Sequence, residues 1–147
     1  MKGLSPRTRA LAVAPPLLYC GVIFILSAIP NPHIPAPDVP YRDKILHMLL
    51  YLPLGALFNR MLHELHWPRT TAARIGISVL LTGLYGVSDE IHQAFVPNRT
   101  PSPADAAADF TGAFIGAAGC EALRKRGIPA YPAISGLTKW RYFFKNR

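Results

Sequence analysis

Three short stretches of this sequence carry side chains able to do chemistry, and within each the residues recur at helical spacing. They are Asp43-Lys44-x-x-His47-x-x-x-Tyr51, then Tyr85-x-x-Ser88-Asp89-Glu90-x-His92-Gln93 with Arg99 six beyond, then Asp105-x-x-x-Asp109-x-x-Gly112. A spacing of four keeps Asp43, His47 and Tyr51 on one helix face, as it does Asp89 with Gln93 and Asp105 with Asp109. Lys44 and Arg99 can engage phosphate oxygens, Arg99 through its planar fork. Asp89, Asp105 and Asp109 can orient those cations or accept sugar hydroxyls. Asp89, Glu90, Asp109 and His47 or His92 also offer oxygen and imidazole ligands, and a carboxylate or a histidine can act as general base. Asp89-Glu90-x-His92 is too generic to be a metal signature, so no metal or other cofactor is expected.

Four apolar runs must position these groups. Ala10 to Ile29 is uncharged, is closed by Pro30, and has about the 20 residues that cross a hydrocarbon core. Its flank of Lys2, Arg7 and Arg9 is that of a signal peptide, but Leu26-Ser27-Ala28 is a poor cleavage site, so it is read as an uncleaved first helix. Residues 30–41 hold five prolines and should form a stiff extended connection. The other spans are expected at about 43–61, where Pro53 predicts a kink, at about 75–95, and at about 103–122. The last has a clear start: Ser102 as cap, Pro103 at the first position and Asp105 at the third, as in a capping box. Gly112 and Gly116 make a small-residue stripe that serves an internal helix contact or a homo-oligomer equally well. Residues 1–122 thus form one membrane domain, and 123–147 a basic, aromatic cytoplasmic tail. Cys20 and Cys120 both fall within spans and read as small core residues.

Composition agrees. Half of the 147 residues are apolar and 16 % are charged, against roughly 25 % in soluble domains, yet the net charge is +8. A nucleic-acid binder would group such charge on one folded surface; here it lies between spans, and no nucleic acid is expected as partner. Of the sixteen Lys and Arg residues, only Arg42, Lys44 and Arg99 fall on one side of a four-span arrangement. The positive-inside rule then puts both termini in the cytoplasm. The acidic residues do the reverse: Asp38, Asp43, Asp89, Glu90, Asp105 and Asp109 all belong to the outer half. The expected fold is therefore all-α, a four-transmembrane-helix bundle with both termini cytoplasmic. A lone charge at such depth costs about 2.5–3.5 kcal/mol even on the lenient insertion scale. The outer groups must pair, meet water or bind something. His33, His63 and His66 read as surface residues.

The three motifs, in this order at three helix ends on one side, resemble the VanZ-like membrane proteins of bacteria. The resemblance covers roughly residues 41–118 and leaves the tail outside it. It implies a multi-pass protein of the bacterial cytoplasmic membrane and a link with resistance to lipoglycopeptides such as teicoplanin.

The expected ligand-binding set is Asp43, Lys44, His47, Tyr51, Asp89, Glu90, His92, Gln93, Arg99, Asp105 and Asp109. The expected partners are membrane lipids, with a lipid-linked phosphate or a cell-wall precursor in the outer leaflet as ligand. A membrane-embedded, metal-dependent hydrolase or transferase acting on a lipid-linked phosphate is the alternative. Proton-coupled transport would need ionisable groups in the inner half of helices two to four, where none is expected. A purely structural ion-pair network is the remaining reading.

Overall fold

The computed structural model describes residues 4–30 and 41–128, and these form four helices: α1 (Pro6–Ser27), α2 (Arg42–Glu64), α3 (Thr71–Gln93) and α4 (Pro103–Lys125). The proline connection and the tail beyond Ile128 lie outside the described residues. At 1.5 Å per residue, the 23 residues of each of α2, α3 and α4 reach roughly 34 Å, enough for a ~30 Å hydrocarbon core. By length and composition, α1, α2 and α3 qualify as membrane spans. α4 has the length but carries Asp105, Asp109 and Glu121, all three buried against its neighbours.

Local chemistry sets the starts. Ser5 Oγ accepts from Thr8 N–H at 3.2 Å, Thr70 Oγ1 from Ala73 N–H at 3.4 Å, and Ser102 Oγ from Ala104 N–H at 3.2 Å. The helices outrun the expected spans, and all on the same side. α1 starts at Pro6 rather than Ala10, α2 continues to Glu64, α3 starts at Thr71 rather than Ile75, and α4 runs to Lys125. Apolar composition marks where hydrocarbon begins. The backbone hydrogen bonds continue for about a turn beyond it, through the charged residues at that end. Pro15 and Pro16 lie inside α1 without ending it, as neighbours and local adjustment allow in membrane helices.

α2 and α4 make the closest pairing. A Cβ on Gly112 would collide with the carbonyl of Met48, one on Gly116 with the carbonyl of Leu52, and one on Gly55 with the backbone of Ala113. The stripe therefore serves an internal contact, bringing two backbones together where larger side chains would hold them apart. α3 closes against both, with Phe110 lying over Gly83. α1 seats on α2 and more lightly on α3, fixed by two hydroxyls: Tyr19 donates to Leu50 O at 3.1 Å and Tyr85 to Cys20 O at 2.6 Å. The apolar core gathers Ile23, Tyr51, Leu54 and Phe58.

Large apolar side chains line much of the exterior, and several charged ones are buried beside the apolar core, unlike a water-soluble bundle. Leu17, Leu18, Ile25, Leu84, Ile91 and Phe114 are exposed, whereas Asp89, Glu90, Gln93, Asp105, Asp109 and Glu121 are buried. Solvent of low polarity around the helices accounts for both features.

Candidate functional site

The site grows from register. On α2, Lys44 and His47 are one turn apart, and on α4 Asp105 and Asp109 are one turn apart, so two pairs face each other across the close α2–α4 contact. Lys44 Nζ donates to Asp105 Oδ1 at 3.0 Å and to Asp43 Oδ2 at 2.7 Å. One turn deeper, His47 Nδ1 lies 3.1 Å from Asp109 Oδ1 and 3.8 Å from Glu90 Oε1, which reaches in from α3. Three helices thus supply one imidazole and two carboxylates whose ligand atoms all lie within 4.8 Å of one another. Gly86 makes this possible from the α3 side, since a Cβ there would strike the Asp109 carboxylate.

Below His47, Tyr51 stacks parallel to it, with ring centroids 6.4 Å apart and planes 6° apart. Tyr51 is fully buried, and its hydroxyl has no hydrogen-bond partner. Asp109 Oδ2 and Glu90 Oε1 are likewise buried without a hydrogen bond. Asp89 is settled by its own helix, where Gln93 Nε2 donates to its Oδ2 at 2.9 Å.

The expected capping box is completed differently. Asp105 stands at the third helical position but points to Lys44, while the N–H of Ser102 donates to Glu90 Oε2 at 2.7 Å. Asp is a methylene shorter than the usual Glu of that motif, and its oxygen is already engaged. Glu90 therefore has one oxygen holding the start of α4 and the other facing His47.

Of the eleven residues singled out by sequence, Lys44, His47, Glu90, Asp105 and Asp109 are brought into direct contact across helices, and Asp89 and Gln93 pair beside them. Asp43 rides at the exposed rim on Lys44. His92 turns toward α1, its ring 4.6 Å from Phe24. Arg99 sits in the 94–102 loop after Asn98, whose left-handed backbone (φ 61°) turns the chain there, a conformation Asn tolerates better than most. Arg99 Nε is buried without a hydrogen-bond partner.

Sequence reasoning missed the opposite end. Arg74, just before the expected start of the third span, and Glu121, near the end of the fourth, are both buried and bonded Nε to Oε1 at 2.9 Å. Arg74 also donates to the carbonyls of Pro68 and Arg69 and to Thr71 Oγ1, and Arg124 pairs with Glu121 Oε2. Ionisable groups are therefore present in α3 and α4 at the end remote from His47 as well, as a closed clamp. The signal was available in the charge of Glu121, one turn before Arg124 in an otherwise small-residue helix.

No curated protein and no solved structure matches the chain. A family model described as VanZ/LLP1 matches residues 17–124, taking in the second half of α1 and nearly all of α4 as well as the three motifs. With the site's motifs and well over half of the chain inside that match, the chain belongs to the VanZ/LLP1 family.

Proposed function

We propose that this membrane protein binds an anionic lipid or a lipid-linked wall precursor in the outer leaflet of the bacterial cytoplasmic membrane, and that it supports lipoglycopeptide (teicoplanin-type) resistance in this way. In this reading α4 is a fourth span, both termini are cytoplasmic, and the polar end of the bundle faces outward. The observation that carries it is Arg99, half-buried in the loop joining α3 to α4 at the same end as Lys44, with its Nε buried and without a hydrogen-bond partner. An unsatisfied charged donor at that depth calls for an anion, and a phosphate is the match for its fork. The apolar faces around the pocket suit the acyl chains of the same molecule, while Asp43 at the rim is placed for sugar hydroxyls.

The test is native mass spectrometry of the purified protein, together with the resistance phenotype of variants that insert normally. Arg99→Ala and Lys44→Ala should lose co-purified anionic lipid and lower resistance together. Retention of both in both variants overturns the reading.

A second reading, hydrolysis or transfer at a lipid-linked phosphate, is favoured by His47 standing between Asp109 and Glu90, where an imidazole can act as general base. Product formation from a labelled lipid phosphate, abolished in His47→Ala, distinguishes it from binding alone.

A further inference from the structure

The deepest part of the pocket has a composition that anion binding does not explain. Two buried carboxylates from different helices, Glu90 and Asp109, converge on one imidazole; Glu90 Oε1 faces it at 3.8 Å without a hydrogen bond, and Asp109 Oδ2 is buried and unpartnered. Carboxylates left in that state are costly: each forfeits its hydration, and the two repel each other. A neighbouring hydroxyl, that of fully buried Tyr51, is unpartnered as well. An acidic cluster by itself would argue for nothing. An imidazole among the carboxylates, and orphaned oxygens on a side chain as buried as Asp109, point to a bound cation.

We infer that His47, Glu90 and Asp109 form a binding site for a divalent first-row metal ion at the polar end of the bundle. The spacing fits. Donors about 2.1 Å from one ion lie about 3.0 Å apart at a right angle and about 3.4 Å apart at the tetrahedral angle. His47 Nδ1 stands 3.1 Å from Asp109 Oδ1 and 3.8 Å from Glu90 Oε1, so small rotamer changes bring all three onto one centre. The donor set selects the ion. Imidazole disfavours Ca²⁺ and Mg²⁺, which take oxygen, and two carboxylates without thiolate favour Zn²⁺ or Mn²⁺ over Cu⁺. Three protein ligands leave a position open for water or for a ligand oxygen. Outer-sphere support is in place, because the second oxygen of Glu90 is held at 2.7 Å by Ser102 N–H. Such an ion ties α2, α3 and α4 together at the end where Lys44 bridges only two of them. The site stands on these side chains alone and does not rest on the lipid reading.

Full-length protein in detergent, stripped with a chelator, should take up one Zn²⁺ per chain with micromolar or tighter affinity, measured by calorimetry. At a hundredfold excess over the dissociation constant, the ion should raise the melting temperature by about 5 °C. Asp109→Asn and Glu90→Gln should weaken uptake by at least about 100-fold, more than loss of an outer-sphere partner would. Gly86→Ala keeps every ligand but pushes the Asp109 carboxylate away, and should weaken uptake by about tenfold or more. Co²⁺ should give a visible absorption band in wild type that His47→Ala loses at unchanged helical content. Glu64→Gln, at the opposite end, should bind as wild type does. Absence of stoichiometric Zn²⁺ or Mn²⁺ uptake by wild type overturns the site, as does undiminished uptake in the ligand variants. If Asp109→Asn fails to accumulate, Glu90→Gln and Gly86→Ala decide. Arg99→Ala should keep the metal while losing the lipid, so the two readings fail separately.

Discussion

Arg74 offers the cleanest test of how this bundle handles buried charge. Its side chain is 10 % exposed and donates four hydrogen bonds: to Glu121 at 2.9 Å, to Pro68 O and Arg69 O at 3.1 Å each, and to Thr71 Oγ1 at 3.2 Å. Removing one partner of a buried ion pair costs about 3–5 kcal/mol, because the other is left stranded. Here Arg124 stays on the second oxygen of Glu121, and the two loop carbonyls can rehydrate. The expected cost of Arg74→Ala therefore falls to about 2–3 kcal/mol. Arg74→Lys keeps the charge but not the fork that reaches loop, helix and Glu121 at once, and should cost about 1–2 kcal/mol. Arg74→Met combined with Glu121→Leu removes both charges and should return to within about 1 kcal/mol of wild type, since apolar residues of similar volume replace such pairs well. Arg124, with its side chain 29 % exposed, then solvates itself. Unfolding in mixed detergent micelles, followed by circular dichroism, measures all four proteins. Arg74→Ala within about 0.5 kcal/mol of wild type would refute the reasoning, as would a double variant less stable than either single one.

Three further outcomes follow from named contacts. Gly116→Leu should destabilise the protein by at least about 2 kcal/mol in the same assay, through collision with the Leu52 carbonyl. Gly119→Ala, which meets nothing within 4 Å, should change stability by less than about 0.5 kcal/mol; equal effects would sink the close α2–α4 packing. Glu90→Ala should strip the cap from Ser102 N–H at a cost of about 1–2 kcal/mol and speed hydrogen exchange of the amides that open α4; unchanged protection there would assign the cap elsewhere. For orientation, a cysteine placed at Thr100 should react with an impermeant maleimide on intact cells, and one placed at exposed Arg69 only after permeabilisation. The opposite pattern inverts the topology.

The four helices were legible because apolar runs of spanning length leave few alternatives, and Ser102-Pro103 marked one start outright. Register across helices was less so. Spacing of four placed Asp105 and Asp109 on one face, but only the glycine-mediated approach of α4 to α2 decides that they meet Lys44 and His47. Nothing local distinguishes Glu90 from His92, two residues apart. The helix turns them to different neighbours, Glu90 to His47 and Ser102, His92 to Phe24 on α1. Helix ends were misplaced because hydropathy falls where charge begins, whereas backbone hydrogen bonding does not. That error left Arg74 outside the expected third span, and with it the partner of Glu121.

The two ends of the bundle make a comparison within one molecule. At one end a buried carboxylate, Glu121, is met by two guanidinium groups, and the arginine at its centre is satisfied in all directions. At the other, Glu90 and Asp109 share one imidazole, and Asp109 Oδ2 is buried with neither a hydrogen bond nor an ion pair. The same fold closes one charge cluster with arginine and leaves the other incomplete, although Lys44 and Arg99 stand at that end. If both clusters served packing alone, the second would be expected to carry an arginine as the first does, since an unsatisfied buried carboxylate costs more than an apolar substitute. The asymmetry fits a structural role for the Arg74 end, and the proposed ligand would account for the His47 end. It also predicts the sign of a charge-removing change at each. Glu121→Gln should destabilise the protein, while Asp109→Asn in metal-free protein should leave stability unchanged or raise it, because it relieves repulsion with Glu90. A loss of stability in metal-free Asp109→Asn as large as that in Glu121→Gln would return the His47 cluster to a structural role.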